Sequence, residues 1–201
     1  MPRLLLATNN PGKLREYRGL LAGCGYDLVT PGELGIKADV PETGSTFAAN
    51  ARLKALTLAK ASRLLTLADD SGLEVDALGC EPGVRSARYG GKKSDSERID
   101  LLLSRLRDFP TGKRTARFRC VIAIATPQGS ARTVSGECRG LIAGASRGSS
   151  GFGYDPVFYL PELGQTMAEL PPEIKNRISH RARAAARACR LLRQMASREK
   201  T

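Results

Sequence analysis

The chain has 201 residues, 41% hydrophobic and 26% charged, with 21 Gly and 11 Pro, a composition that excludes a disordered tail, a collagen-like repeat or a coiled coil. A chain of this length removes roughly 70% of its unfolded surface from water, so one large domain or two small lobes are expected. The net charge of +12 is uneven: residues 1–100 hold 14 basic and 13 acidic side chains, residues 101–201 hold 18 and 7.

That imbalance makes the second half the place where an anionic partner would be drawn, whether nucleotide, nucleic acid or membrane surface; an arginine-rich solvated face explains it equally well. The longest apolar runs, such as 121–125, are far below the roughly 20 residues a membrane helix needs. The run at 4–7 is too brief for a secretory core and ends at Thr8-Asn9-Asn10, so a cytoplasmic protein with no membrane span is expected. Five cysteines stand at 24, 80, 120, 138 and 189, without a CxxC pair, and His180 is the single histidine. Zinc and multi-histidine sites are thereby excluded, and the cysteines read as reduced, mostly buried thiols. Any metal must be hard and held by oxygen, which points to Mg²⁺.

In chain order, strand and helix signals alternate through the first half, favouring an α/β fold. A short strand at 4–7 breaks at Thr8-Asn9-Asn10-Pro11-Gly12, and a helix follows from Lys13 with Leu14, Tyr17 and Leu21 on one face, ending at Gly23 or Gly25. Ser45 or Thr46 can cap a second helix whose face includes Phe47, Ala51, Ala55 and Leu58, with Asn50 and Lys54 stacked one turn apart. A buried strand at 65–68 then runs into Asp69-Asp70-Ser71-Gly72, and residues 80–93 read as a loop. Ser94-x-x-Glu97 is a capping box opening a helix that carries Ile99, Leu102, Leu103 and Leu106. Alternation at Phe118, Cys120, Ile122 and Ile124, a turn at 127–130 and a return over 134–142 predict a hairpin. The last helix is read with one apolar stripe of Ile178, Ala182, Ala185, Cys189, Leu192 and Ala196, and with Arg183, Arg187 and Arg190 on another face.

Three polar clusters follow apolar strands, where open α/β sheets place their sites. Thr8-Asn9-Asn10-Pro11-Gly12-Lys13 offers helix N–H groups and a cation, the ingredients for gripping phosphate, although it lacks P-loop spacing and also reads as a turn that only caps the helix. Asp69 and Asp70 point to opposite faces if the strand continues through them, which gives them different tasks; Glu42 with one of them suffices for Mg²⁺, and the plain alternative is a solvated turn. Gly148-Ser149-Ser150-Gly151-Phe152-Gly153-Tyr154-Asp155 suits close approach to a planar ligand with a ring for stacking, or a connection whose rings pack in the core. Lys175 and Ser179-His180-Arg181 lie near the start of the last helix, where His180 and Arg181 can donate to a carbonyl.

TNNPGKLREY, ETGSTFAANARLKA, ADDSGLEVDALGCEPGVRSARYGG, SGFGYDPVF and K-x₃-SHR, taken in this order, resemble the inosine triphosphate pyrophosphatase family, the dITP/XTP pyrophosphatases. The resemblance implies a single α/β domain over 1–201 with an elongated mixed β-sheet flanked by helices, two lobes without a separate linker, and an active-site cleft between them. It also implies a homodimer that needs Mg²⁺ and splits non-canonical purine nucleoside triphosphates (ITP, dITP, XTP) into monophosphate and pyrophosphate. Carried onto this sequence, it places Thr8, Asn9, Asn10, Pro11, Gly12, Lys13 and Lys54 on the triphosphate, with Glu42 and Asp70 on the metal. Asp70 also matches the proton acceptor, Ser71 a substrate-contacting serine, and Phe152, Gly153, Tyr154, Asp155, Lys175, His180 and Arg181 the purine pocket. Asn9 departs from the small residue of that pattern, and the arginine excess of the second half is not part of it. Two other readings stay open: a nucleic-acid-binding module using the basic second half, and a pyrophosphatase for another modified triphosphate. Only 5% of residues are aromatic, with no tryptophan and no nucleic-acid-binding motif, which weighs against the first.

Overall fold

The computed structural model describes residues 1–37 and 39–198. Eight strands form one mixed sheet in the order β2-β1-β3-β5-β6-β7-β8, with β4 pairing β3 off this path. They are β1 (Arg3–Leu6), β2 (Asp27–Val29), β3 (Leu65–Val75), β4 (Glu81–Pro82), β5 (Thr115–Ala125), β6 (Ala131–Ile142), β7 (Phe158–Leu160) and β8 (Gln165–Thr166). The helices are α1 (Pro11–Leu20), α2 (Phe47–Ser62), α3 (Asp95–Arg105), α4 (Pro172–Ile178) and α5 (His180–Arg198). β1 pairs in parallel with β2 and β3, whereas β3–β4, β6–β7 and β7–β8 are antiparallel. The α/β class and the mixed sheet flanked by helices are therefore as expected.

The described residues divide into two compact units, the first made of residues 1–37, 39–70, 120–136 and 181–198, the second of 71–119 and 137–180. The first unit packs Leu4, Leu6 and Leu67 of its strands and Cys120, Ile122 and Ile124 of β5 against Tyr17 and Leu21 and against Ala184, Ala185, Ala188 and Leu192 of α5. The second has its own core of Leu73, Val75, Tyr89, Leu102, Phe118, Ile142, Tyr154, Phe158 and Met167. None of the helices among the described residues is long and apolar enough to cross a membrane.

Local chemistry explains the element boundaries. Asn10 caps α1 by accepting from the Lys13 N–H at 3.0 Å, and Pro11 occupies the first helical position, where its missing N–H costs nothing. Thr46 caps α2 through the Ala49 N–H, and the Ser94–Glu97 capping box opens α3. The hairpin turn closes with the Thr126 N–H donating to the Ser130 carbonyl and the Gly129 N–H to the Thr126 carbonyl.

Three expectations are corrected. The strand expected to end at 68 continues through Asp69-Asp70-Ser71-Gly72 to Val75, because Glu74 and Val75 pair with β4 and the Leu73 N–H donates to the Ser86 hydroxyl. The stripe read from Ile178 onward belongs to two helices: Ser179 has an extended backbone, so Ile178 ends α4 and packs on the second unit's core while Ala185 and Leu192 face the first unit's core. The cysteines are not all thiols, since Cys24 and Cys189 are joined in a disulfide with their Cα atoms 5.4 Å apart, inside the usual range. The 165 residues between them hide that pairing from any reading of local spacing.

Candidate active site

In the first unit the turn after β1 orders the first polar cluster. The Asn10 N–H donates to the Thr8 hydroxyl at 3.2 Å, so Thr8 and Asn10 together bend the chain into α1, with Asn9 exposed, Gly12 buried and Lys13 directed inward. The Lys13 ammonium lies 3.0 Å from Asp69, whose carboxylate is almost fully buried. Arg181, also buried, stands with its guanidinium 3.7 Å from Asp69, bridges to Glu16 at 2.5 Å and lies over the Tyr17 ring at 5.9 Å. The resemblance assigns Arg181 to the purine; its guanidinium meets Glu16, Asp69 and Tyr17.

The two aspartates do face different partners. Burial pushes the Asp69 carboxyl up, but the cations of Lys13, Arg181 and Lys54 outweigh it and hold the group down at about 2. Asp70 accepts a hydrogen bond from the Asn50 amide at 2.9 Å, and its carboxyl rises to about 6. Burial is the main cause, and the negative charge of Glu42 adds to it against the opposing Asn50 bond. Of two adjacent carboxyls, one is a fixed counter-ion and the other is poised near neutrality, the pattern expected where one acid must take a proton. The Cys120 thiol, beside Tyr17 and Asp69, is pushed up to about 12 by burial and stays protonated.

Glu42 pairs with Lys54 at 2.5 Å, and the same ammonium donates to the Asp69 carbonyl at 3.3 Å, so α2 ties the segment before it to β3. Burial works against the Lys54 charge, yet the Glu42 contact keeps its pKa above the ordinary value. Glu42 and Asp70 are hard oxygen donors close enough for one charge to perturb the other, and a divalent cation would relieve that repulsion. No cluster of three or more candidate metal ligands exists among the described residues. Two carboxylates with water and phosphate oxygens is nonetheless a normal Mg²⁺ donor set, so the residues fit the ion.

The second unit holds the glycine-rich loop. Asp155 is buried, accepts from the Phe152 N–H at 2.9 Å and pairs with the buried Lys175 at 2.6 Å. Lys175 in turn sits 5.1 Å from the centre of the Phe152 ring. The Gly153 N–H donates to Asp95 at 2.7 Å and the Tyr154 hydroxyl to the Ser86 carbonyl at 3.0 Å. The loop is thus pinned at each of the residues 152–155. Tyr154 packs in the core, as the plainer reading of that ring had it, while Phe152 stays partly exposed. His180 is buried and stacks on Phe118 with ring centres 4.7 Å apart, and Ser71 stands partly buried on β3.

Lys13, Glu42, Lys54, Asp70 and Arg181 are brought together in one unit around Asp69, and Phe152, Asp155 and Lys175 in the other. Sequence reasoning expected one of the two aspartates to face the pocket and the other to orient it or pair with a lysine, and Asp69 pairs with Lys13; it gave no role to Asn50, Glu16 or Cys120, all now in contact with these groups.

A family model described as the Ham1 family matches residues 4–191. The chain belongs to the Ham1 family. It is 52% identical over 194 residues to the dITP/XTP pyrophosphatase of Desulforamulus reducens, covering 96% of each chain. Against a dITP/XTP pyrophosphatase of Thermus thermophilus it is 50% identical, over 90% of this chain and 87% of that one. Among solved structures, a HAM1 protein from Coxiella burnetii superposes with a TM-score of 0.88 at 42% identity, covering 96% of this chain and all of that one. The Ham1 protein of Staphylococcus aureus gives 0.86, also at 42% identity, over 96% of this chain and 99% of that one. These Ham1 relatives carry the same mixed α/β fold.

Proposed function

We propose that this Ham1-family chain is a nucleoside triphosphate pyrophosphatase that hydrolyses ITP, dITP and XTP to the monophosphate and pyrophosphate. The observation that carries this reading is the separation of the two adjacent aspartates, one locked by cations and the other left near neutral pH in its affinity for a proton. The names of its relatives agree with it. In this reading Asp70 accepts the proton of the water that attacks the α-phosphorus, and pyrophosphate leaves. Lys13 and Lys54 offset the charge that shifts onto the departing phosphates, and the turn from Thr8 to Gly12 grips them. Glu42 and Asp70 would hold Mg²⁺, which when bound neutralises phosphate charge and sharpens the acidity of water. Asp69 keeps Lys13 and Arg181 in place.

Phe152, Asp155, Lys175, His180 and Arg181 are assigned to the base, with Phe152 supplying a ring face for stacking. Donors aimed at a 6-oxo group would be left unpaired by the 6-amino group of adenine, a mismatch worth about 10⁴ in discrimination in a well-closed site. A cytoplasmic homodimer acting on the free nucleotide pool completes the proposal. A panel of ITP, dITP, XTP, ATP, GTP and a pyrimidine triphosphate, with Mg²⁺ and products separated by anion exchange, tests it. Monophosphate plus pyrophosphate from ITP and XTP, with little from ATP or GTP, is the expected result; release of single phosphates or no hydrolysis refutes it.

A further inference from the structure

Asn50 lies one turn into α2, is 1% exposed and has both ends of its amide engaged. Its Oδ1 accepts from the Gly44 N–H at 2.7 Å and its Nδ2 donates to Asp70 Oδ2 at 2.9 Å. A main-chain N–H can only donate, so the Gly44 contact fixes which end of the amide faces Asp70. Gly44 is two residues beyond Glu42, and Asp70 is on β3. One buried side chain therefore links the segment that carries Glu42 to the strand that carries Asp70. A Cβ at Gly44 would stand 2.7 Å from the Ala49 Cβ and 2.7 Å from Asn50 Oδ1, so only glycine lets the segment come this close.

Packing alone does not account for the residue. Its neighbours on the buried face of α2 are Phe47, Ala51, Ala55 and Leu58. An apolar side chain there would bury no polar atoms, and asparagine is a mediocre helix former. What asparagine supplies is an acceptor and a donor on one rigid fork, each matched to a different element.

We propose that Asn50 is a positioning residue for the hydrolysis: it orients the Asp70 carboxylate and sets the Glu42 segment in register with it. This rests on the reading of Asp70 as proton acceptor. Asn50 acts through the groups it holds, Asp70 directly and Glu42 by way of Gly44, as outer partners of metal-binding groups do.

The test compares Asn50→Ala and Asn50→Leu with the wild type. ITP turnover is one readout; Mn²⁺ binding is the other, followed by electron paramagnetic resonance with a non-hydrolysable α,β-methylene analogue of ITP present. Loss of the strut should lower kcat about 10–100-fold while KM for ITP stays within about threefold, and should weaken Mn²⁺ binding about tenfold. Asn50→Leu keeps the branched shape and carries the test if the alanine variant fails to fold. A folded variant with wild-type kcat and Mn²⁺ affinity overturns the proposal, as does a loss of activity that only tracks thermal unfolding. A wild-type protein that releases no pyrophosphate from ITP overturns the reading of Asp70 itself, a result distinct from a variant that keeps pace with an active wild type.

Discussion

Replacing Asp70 by asparagine should make the protein more stable and inactive at once. In the folded chain the Asp70 carboxyl lies at about 6, against 3.8 for an ordinary aspartate, with burial first among the causes and Glu42 second among those that raise it. That gap corresponds to about 3 kcal/mol favouring the neutral form. The folded state holds the proton more tightly than the unfolded chain, so this one contribution is present below pH 3.8, is lost as pH rises through 6 and is gone at pH 8. Asparagine never carries the charge and still accepts from the Asn50 amide. Asp70→Asn should therefore gain about 3 kcal/mol at pH 8 without metal, or roughly 6–12 °C in melting temperature for a chain of this size. About half of that gain should remain at pH 5, where the wild-type folded state has taken up its proton, and almost none at pH 3.

The assay is differential scanning calorimetry in EDTA at pH 8 and 5, beside ITP turnover with Mg²⁺ at pH 8. A variant no more stable than the wild type at pH 8 refutes the buried-charge account. A stable variant that turns over ITP at the wild-type rate removes Asp70 from the mechanism. The neighbouring aspartate makes the opposite contribution. Asp69, held at about 2, supplies stability above pH 3.8 that disappears as pH falls toward 2. For the same chain, Asp69→Asn should cost stability at pH 7, and that cost should shrink in the same acid range.

Three further outcomes are expected. Arg181→Ala strips a buried guanidinium from Glu16 and Asp69, which should cost about 3–5 kcal/mol in urea unfolding; it should also narrow the ratio of ITP to ATP hydrolysis, and an unchanged ratio excludes Arg181 from base selection. Gly151 has φ of +81°, and a side chain there would run into the Asp155–Lys175 pair, so Gly151→Ala should raise KM for ITP at least tenfold in steady-state kinetics while the second unit stays folded. The Cys24–Cys189 disulfide spans 165 residues, so reduction should lower stability by up to about 5 kcal/mol in the chain-entropy account; mass spectrometry of protein alkylated in denaturant without reductant should find three modified cysteines, and five would refute the bond.

What the sequence disclosed follows the range of the forces involved. Capping and turn chemistry is local, so Thr46, Ser94 with Glu97, and the turn before β6 could be read within a few residues. The opposite facing of Asp69 and Asp70 followed from strand pleat alone. The length of β3 did not, because Asp-Ser-Gly has turn chemistry and it is pairing with neighbouring strands distant in sequence, β4 and β5 among them, that keeps the chain extended. The break at Ser179 was hidden for a similar reason: alternate spacings of four and three carry an apolar stripe smoothly across two helices that pack on different cores.

The partners that decide the chemistry were the least legible, since they are long-range. Lys13 and Asp69 are 56 positions apart, Glu16 and Arg181 165 apart, and no periodicity links them. Composition still constrained them. A buried aspartate needs cations, and this chain has them to spare, so the open question was which lysine or arginine would be close enough. The structure answers with Lys13 and Arg181 beside Asp69, whereas Asp70 accepts from Asn50, a donor that bears no charge, and the pull of Lys13 and Lys54 on it is outweighed by its burial. Had a cation taken that place, the Asp70 carboxyl would be held down like its neighbour and would be a poor proton acceptor at neutral pH. The neutrality of residue 50 is thus a chemical requirement that an ordinary letter in a helical stretch does not announce.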